Sequence, residues 1–556
     1  LDTAVEAGLV EEDQRQLGWF RFTHSLAAEA LYETTGRLRR ARLHRRIGTA
    51  AARAWTGNTG RAAEIARHWL LASELDPTAA AHASTHAATA ARVADARLAP
   101  EDAAELWRQA LTAAELAETE DLDRHPLLIG LGTSLYRAGN PPDGLSVFIQ
   151  AMEETLAAHD VGGDPDTSRL VTAAVTAISE LNWYPAGYGE VDKRLVDVFE
   201  RVLAQVSDPV PRALILSCLA VARYYDGDPE CRATLSDEAL ALVRLTTDTV
   251  ALAHVLYLRV AALNGPDYLD QRLQAVTELL ALPGLSSLMT GRARQLRAQV
   301  LVTSGRISEA SAELDLAGQL VEEQRSPLRT QLAWSRAGLL LLGGHWREAD
   351  ELSRATYDLH ARMKWGTAQF NRLVQRWEAA YLMGGGSDLV DELRAVAESP
   401  GQPALHGILA MALIEAGQVH DARIALRQFP HGHKDYLWLY TRCWALLAAS
   451  RLGETDLVTR LRAQLRPYRH LTCSVSDLAI SGPVAYFTAE AALALGDQAA
   501  AMADLAVATD TTRRMGAEPW LAEVREAICR CTGSSAERST GKRAELLSVS
   551  TAERDE

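Results

Sequence analysis

The chain has 556 residues, too many for one compact core, so it must form several domains or an extended array of repeats. Hydrophobic residues make up 48%, charged residues 23% and aromatic residues only 6%, a profile of packed helices that argues against disorder and against a sheet-dominated fold. The formal net charge of -15 repels phosphate backbones, which excludes nucleic-acid binding from most of the surface unless a local basic patch supplies it.

In chain order, residues 2–7 read as a short helix that closes at Gly8. The apolar stretches 9–10 and 17–22 then flank a polar turn, and Phe20 and Phe22 alternate with Arg21 as a half-buried strand does, which predicts a β-hairpin. Thr23 or Ser25 can cap the helix that follows, and a basic helix over 37–55 comes next. Its arginines at 37, 39, 40, 42, 45 and 46 spread around most of the circumference between Leu38, Leu43 and Ile47, so they read as a solvated face rather than a phosphate grip.

From there to residue 531 one pattern recurs: a small residue, a Gly seven positions on, and a second small residue five positions after that. The clearest copies are Ala298, Gly305, Ala310; Ala337, Gly344, Ala349; Ala410, Gly417, Ala422; Ala489, Gly496, Ala501; and Gly132, Gly139, Gly144. A divergent copy has Ala91, Leu98 and Ala103. Gly suits the left-handed turn that ends a helix, and the small residues on either side let two antiparallel helices approach closely. Turn positions at 98, 139, 227, 265, 305, 344, 385, 417, 453 and 496, with a degenerate unit at 182–189, give about eleven helix pairs at a period near 40. The units resemble tetratricopeptide repeats (TPRs), so the predicted fold is all-α, an α-solenoid of TPR-like hairpins.

Residues 532–556 lose helical periodicity and read as a linker or disordered tail. The domain boundaries are therefore 1–55, 56–531 and 532–556.

Little in the chain points to catalysis or metal binding. There is no GxxxxGK[ST] run, no GxSxG elbow, no HExxH and no glycine-rich dinucleotide loop, so no catalytic residue is assigned. His82 and His86 stand four apart without a third ligand, and Asp226, Asp228 and Glu230 look like turn chemistry rather than a calcium loop, so no metal site is assigned either. The six cysteines show no CxxC spacing, Cys529 and Cys531 reading as surface thiols. Scattered cysteines, no signal peptide and no apolar run long enough for a bilayer fit a cytoplasmic protein without a membrane contact. The aromatic residues are the candidate ligand or partner surface. Trp183, Tyr184 and Tyr188 fall in a break in the array, and Trp334, Trp346, Trp365, Trp377, Trp438, Tyr440 and Trp444 cluster in its second half, where first helices of a solenoid line the concave side.

The run FRFTHSLAAEALYETTGRLRRARLHRRIGTAAARAW, residues 20–55, resembles the end of the winged-helix subdomain of STAND-type ATPases, specifically the large ATP-binding regulators of the LuxR family, in which a superhelix of TPR-like units follows. The resemblance implies a nucleotide-binding domain upstream of Leu1, with ATP or ADP as its ligand and no cofactor in this chain itself. Thr23, His24, Ser25 and Leu26 fall on the family's Met-His-Asp-Leu motif, whose His touches the β-phosphate of ADP, so His24 becomes the candidate nucleotide contact. The superhelix would then be a sensor arm for an inducer or a protein partner, and DNA would be reached only through an output domain not present here. The alternatives are a non-switching TPR scaffold, or the regulatory region of a nucleotide cyclase or protein kinase.

Overall fold

The computed structural model describes residues 2–12, 20–73, 76–117, 122–160, 166–180, 189–226, 228–321, 327–362, 367–398, 405–429 and 434–533. The predicted tail lies almost wholly outside these residues. Contacts divide the chain into two compact units, Leu1–Ala138 with Asp143–Ala151, and Gly139–Pro142 with Met152–Glu556.

The first unit opens with α1 (Asp2–Glu6), β1 (Val10–Glu12), β2 (Phe20–Phe22), α2 (Ser25–Thr34) and α3 (Arg37–Ala54). The strands pair antiparallel with Val10 opposite Phe22, which is the predicted hairpin. Its phenylalanines are not half-buried by a core, however, for Phe20 is 37% and Phe22 45% exposed. Among the described side chains before Arg37, Val10 alone is buried. Packing begins at α3, whose stripe Ala41, His44, Gly48 and Ala51 is buried, and α3 packs on α4 (Ala62–Ser73). At Gly48 an added Cβ would sit 3.1 Å from the Trp69 ring, so the absent side chain sets how closely the two helices approach. The unit continues with α5 (Pro77–Ala96), capped by the Asp76 carboxylate on the Thr78 N–H, then α6 (Pro100–Leu116), α7 (His125–Arg137) and α8 (Pro141–Asp160), the last of which runs on into the second unit.

The second unit adds α9 (Thr167–Glu180) and α10 (Lys193–Gln205), α11 (Pro209–Ala222) and α12 (Pro229–Arg244), α13 (Thr249–Ala262) and α14 (Leu269–Ala281), and α15 (Ser287–Thr303) and α16 (Ile307–Val321). There follow α17 (Pro327–Leu342) and α18 (Trp346–Arg362), α19 (Ala368–Met383) and α20 (Val390–Ala397), α21 (His406–Glu415) and α22 (Val419–Arg427), and α23 (Trp438–Leu452) and α24 (Thr455–Leu465). Last come α25 (Val484–Ala494), α26 (Gln498–Met515) and α27 (Glu518–Thr532). The chain is all-α in this sense, a solenoid-type succession of TPR-like helix hairpins with two small strand pairs among its described residues.

The recurring pattern has the physical role the spacing implies. Gly305, Gly344, Gly417, Gly453 and Gly496 all hold left-handed backbone, with φ of 74, 83, 74, 70 and 75°. At Gly417 its own N–H bonds back to Ile414 and the next N–H, of Gln418, to Leu413, which is the Schellman closure of a helix end. Ala298, Ala310, Ala337, Ala349, Ala410, Ala422, Ala489 and Ala501 are wholly buried. A Cβ on Gly144 would stand 2.8 Å from the Gly132 carbonyl oxygen, so a side chain there would force the helices apart. Two turn assignments need correction. The left-handed residue after α19 is Gly384, with Gly385 at φ -113°. Gly265 is extended, and its side-chain-free Cα is needed because a Cβ would lie 2.7 Å from the Lys434 carbonyl oxygen. Gly227 and most of the degenerate unit at 182–189 lie outside the described residues.

Leu98, the one divergent turn residue, does adopt the glycine conformation, with φ of 61°, while its side chain stays 49% exposed. A Cβ in that region costs roughly 1 kcal/mol. Leu98→Gly is therefore expected to stabilise the first unit slightly, and Gly417→Ala to destabilise the second by about 1 kcal/mol. Opposite signs in paired urea titrations check the assignment, and a loss at both positions would contradict it.

A second strand pair lies outside the pattern of helix hairpins that the spacing predicts. Between α24 and α25, β3 (Thr472–Val475) and β4 (Ala479–Pro483) form an antiparallel hairpin with Val475 opposite Ala479. Every residue of both strands is buried. Strands are thus not confined to the opening segment.

Candidate functional site

The β3–β4 hairpin decides what the aromatic residues of the second unit can do. It lies among α15, α17, α19 and α23, each of which supplies a polar anchor or a packing face. The Thr472 hydroxyl donates to the Val302 carbonyl at 2.6 Å. Ser335 donates to Asp477 at 2.6 Å, Gln299 donates to the same carboxylate at 3.3 Å, and the Gln375 amide donates to the carbonyls of Leu478 and Trp334, each at 2.9 Å. Glu378 receives hydroxyl protons from Tyr440 at 2.7 Å and from Ser481. At Gly338 a Cβ would come within 2.5 Å of the Leu478 carbonyl oxygen, so α17 and the hairpin meet backbone to backbone. First helices of successive pairs therefore turn their polar groups onto a segment of the same chain.

The candidate aromatics follow from this packing. Trp377, Tyr440 and Trp444 are completely buried, and Trp334 and Trp438 nearly so. Trp444 sits at the centre of a ring cluster, 5.1 Å from Trp377, 4.7 Å from Tyr381, 5.5 Å from Phe487 and 6.4 Å from Trp520, and its N–H donates to Ser481. Trp334 donates its indole N–H to His360 at 3.0 Å. These five side chains build the core of the second unit and offer no surface to a partner, which corrects the expectation of a binding face. Trp346 is half-buried at the start of α18. Trp183, Tyr184, Tyr188 and Trp365 lie outside the described residues.

Two carboxylates inside this core are electrostatically displaced. Burial pushes Glu378 up to about 7, against the pull of its two hydroxyl donors, and Asp477 up to about 6. Burial likewise drives His360 down to about 4.

The first unit presents the opposite picture. Of the twenty large hydrophobic side chains that stand exposed among the described residues, ten lie between Val5 and Ile47. Within this uncovered segment His24 is exposed at the N-cap position of α2 and makes no capping bond, so its ring is open to solvent beside the free amides of the helix start. On α3 and α4, His44 and His68 are buried with their Nδ1 atoms 2.9 Å apart, and the Tyr32 hydroxyl lies 3.1 Å from His44 Nε2. Such a pair shares one proton. Burial, followed for His44 by the charge of its partner histidine, lowers both below the ordinary value, with Arg67 acting on each, Arg40 on His44, and Glu64 opposing on His68. A lowered folded-state pKa means the unfolded chain takes up protons first, so this stability is present above about pH 6.5 and falls as pH drops below it. Amides of α3 and α4 are expected to exchange faster at pH 5 than at pH 7 after correction for intrinsic rates, and His44→Phe should flatten the difference. Equal protection at both pH values would contradict this.

The remaining motifs find ordinary roles. Asp228 caps α12 by accepting from the Glu230 and Cys231 N–H groups, and His82 stacks on Trp69 at 4.5 Å. All six cysteines are free, and Cys531 is buried rather than a surface thiol, since it packs where α27 meets the Gln498 carbonyl. Among the described residues no group of three or more His, Cys, Asp or Glu is placed to hold a metal ion, and no helix is long and apolar enough to cross a membrane.

Fold and geometry together define a helical-repeat protein of TPR-like hairpins. No family model matches the chain, and no curated protein matches it. Among solved structures it is similar to yeast Tom70, at 12% identity over 91% of this chain and 99% of that one with a TM-score of 0.24. Naa15/Naa10 bound to HypK-THB gives 13% identity, 88% and 79% coverage and a TM-score of 0.20. A circular tandem repeat protein with novel repeat topology gives 14%, 98% and 95%, and 0.13. At such scores these likenesses define neither the arrangement of the helices nor a function for this chain.

Proposed function

We propose that this chain is the interaction arm of an ATP-dependent, signal-transducing transcriptional regulator of the LuxR type, binding a protein partner or inducer and passing its state to a STAND ATPase. The observation that carries the reading is the concentration of seven exposed large apolar side chains between Val5 and Tyr32, on a hairpin and two short helices, α1 and α2, that bury almost nothing. Small elements without a core are unstable in water unless something covers them. A winged-helix subdomain that packs on a nucleotide-binding domain accounts for both the hairpin and the uncovered face. His24, exposed at a helix N-terminus, would then meet the β-phosphate of bound ADP.

The coding sequence joined to the codon for Leu1 tests the larger claim. A Walker A motif upstream supports it, and an initiator Met adjacent to Leu1 contradicts it. In the ATPase-bearing protein, His24→Ala is expected to speed ADP release several-fold, and unchanged release rejects the role of His24.

A non-switching scaffold is the second reading. It is favoured by the second unit's interior, which holds the chain's own hairpin where an inducer would have to enter.

A further inference from the structure

We infer that the outward face of α3 is a docking site for an amphipathic helix of a partner protein that carries carboxylates beside its apolar stripe; this rests on the reading of the chain as an interaction arm. The helix has two distinct faces. Ala41, His44, Gly48 and Ala51 point inward, whereas Leu43 at 42% and Ile47 at 45% exposure stand outside with Ala50, at the four-then-three spacing of one helical stripe. Arg42, Arg46 and Arg53 form the next ridge around the helix, and the six residues share one shallow groove.

The charge pattern selects the occupant. The sequence of α3 has seven arginines and no acidic residue, in a chain whose net charge is -15. Arg45 is paired with Asp76 and Arg40 lies over the Tyr32 ring, but Arg42, Arg46 and Arg53 have no ion pair among the described residues. A second copy docking through the same face would set arginine against arginine. The solvated face of a helix is normally polar, whereas α3 turns an aliphatic stripe outward beside cations that have no ion pair among the described residues. A helix with leucines at i, i+3, i+4 and i+7 and glutamates along the adjoining ridge would bury the stripe and neutralise the cations.

The probe is a synthetic peptide of about 18 residues with that pattern, compared with a version carrying lysine in place of every glutamate, with phosphatidylserine vesicles and with a DNA duplex of about 20 base pairs. Fluorescence anisotropy should show binding of the glutamate peptide that weakens with salt. Arg42→Glu with Arg46→Glu should weaken it about tenfold or more and transfer binding to the lysine peptide. Leu43→Ser with Ile47→Ser should also weaken it, with the far-UV melting curve unchanged in both variants. Equal binding of both peptides, tighter binding of vesicles or DNA, indifference to the substitutions, or a concentration-dependent dimer abolished by Arg42→Glu would each overturn the inference. These outcomes leave the ATPase reading standing, because the upstream sequence and ADP release test that separately.

Discussion

Trp444→Ala is expected to destabilise the second unit by about 3–5 kcal/mol, the range for removing a large aromatic from a core that cannot collapse around the space. The side chain is completely buried and its ring meets Trp377 and Tyr381 on α19, Phe487 on α25 and Trp520 on α27. Truncation also leaves Ser481 without the indole donor. The cavity would open between helices that are distant in sequence and held by the hairpin, so relaxation of any one helix cannot fill it. A denaturant titration followed by far-UV circular dichroism measures the effect. A loss below about 1 kcal/mol would mean that Trp444 is not the centre of the core.

Glu378→Gln should change stability in a way that depends on pH. The wild-type carboxyl is raised from 4.5 to about 7 by burial, so its protonated form is the one the fold prefers. For a carboxyl with a raised folded-state pKa, stability is fully present below about pH 4.5 and is lost as pH rises through 7. At about 1.4 kcal/mol per pKa unit, the group costs the wild type on the order of 3 kcal/mol at pH 8 relative to pH 4.5. The amide keeps an oxygen to accept from Tyr440 and Ser481 but cannot ionise. The stability of the variant relative to wild type should therefore rise by about 3 kcal/mol between pH 4.5 and pH 8. A pH-independent difference would show that Glu378 remains charged and is solvated in some other way. Asp477, raised by the same cause, remains in both proteins and cancels from the comparison.

The helical hairpins were legible in the sequence because their signal is steric and local. A left-handed turn and a close helix approach each demand the smallest side chains, and Gly417 with Ala410 and Ala422 states both demands within thirteen positions. The same logic reached Leu98, where a residue other than glycine adopts the glycine conformation. It placed one turn a residue late, at Gly385 instead of Gly384, since adjacent glycines are equivalent in sequence and only the helix end selects between them.

The β3–β4 hairpin was not legible, for a physical reason. Both faces of its strands are buried, so the alternation of apolar and polar residues that marks a half-exposed strand is absent. One clue was present. The interval from Gly453 to Gly496 is the longest between successive turn glycines from Gly305 onward, and the extra residues include the β-branched Thr472, Val475 and Ile480. Without the hairpin the tryptophans read as a binding surface, because a concave face lined by aromatics and one filled by a buried segment have the same sequence on the helices. The first unit showed the converse. Phe20, Phe22 and Leu43 resemble core residues in sequence, and only their exposure marks them as uncovered.

Hydroxyl-radical footprinting of the free chain tests the account most directly, since it reads side-chain exposure at both places in one sample. Phe22, Leu26, Leu43 and Ile47 should be oxidised rapidly, while Trp377, Tyr440, Trp444 and Trp520 should remain protected despite the higher intrinsic reactivity of indole and phenol. Rapid oxidation of Trp377 and Trp444 with protection of Leu43 and Ile47 would contradict it, and would return the partner surface to the aromatic residues of the second unit.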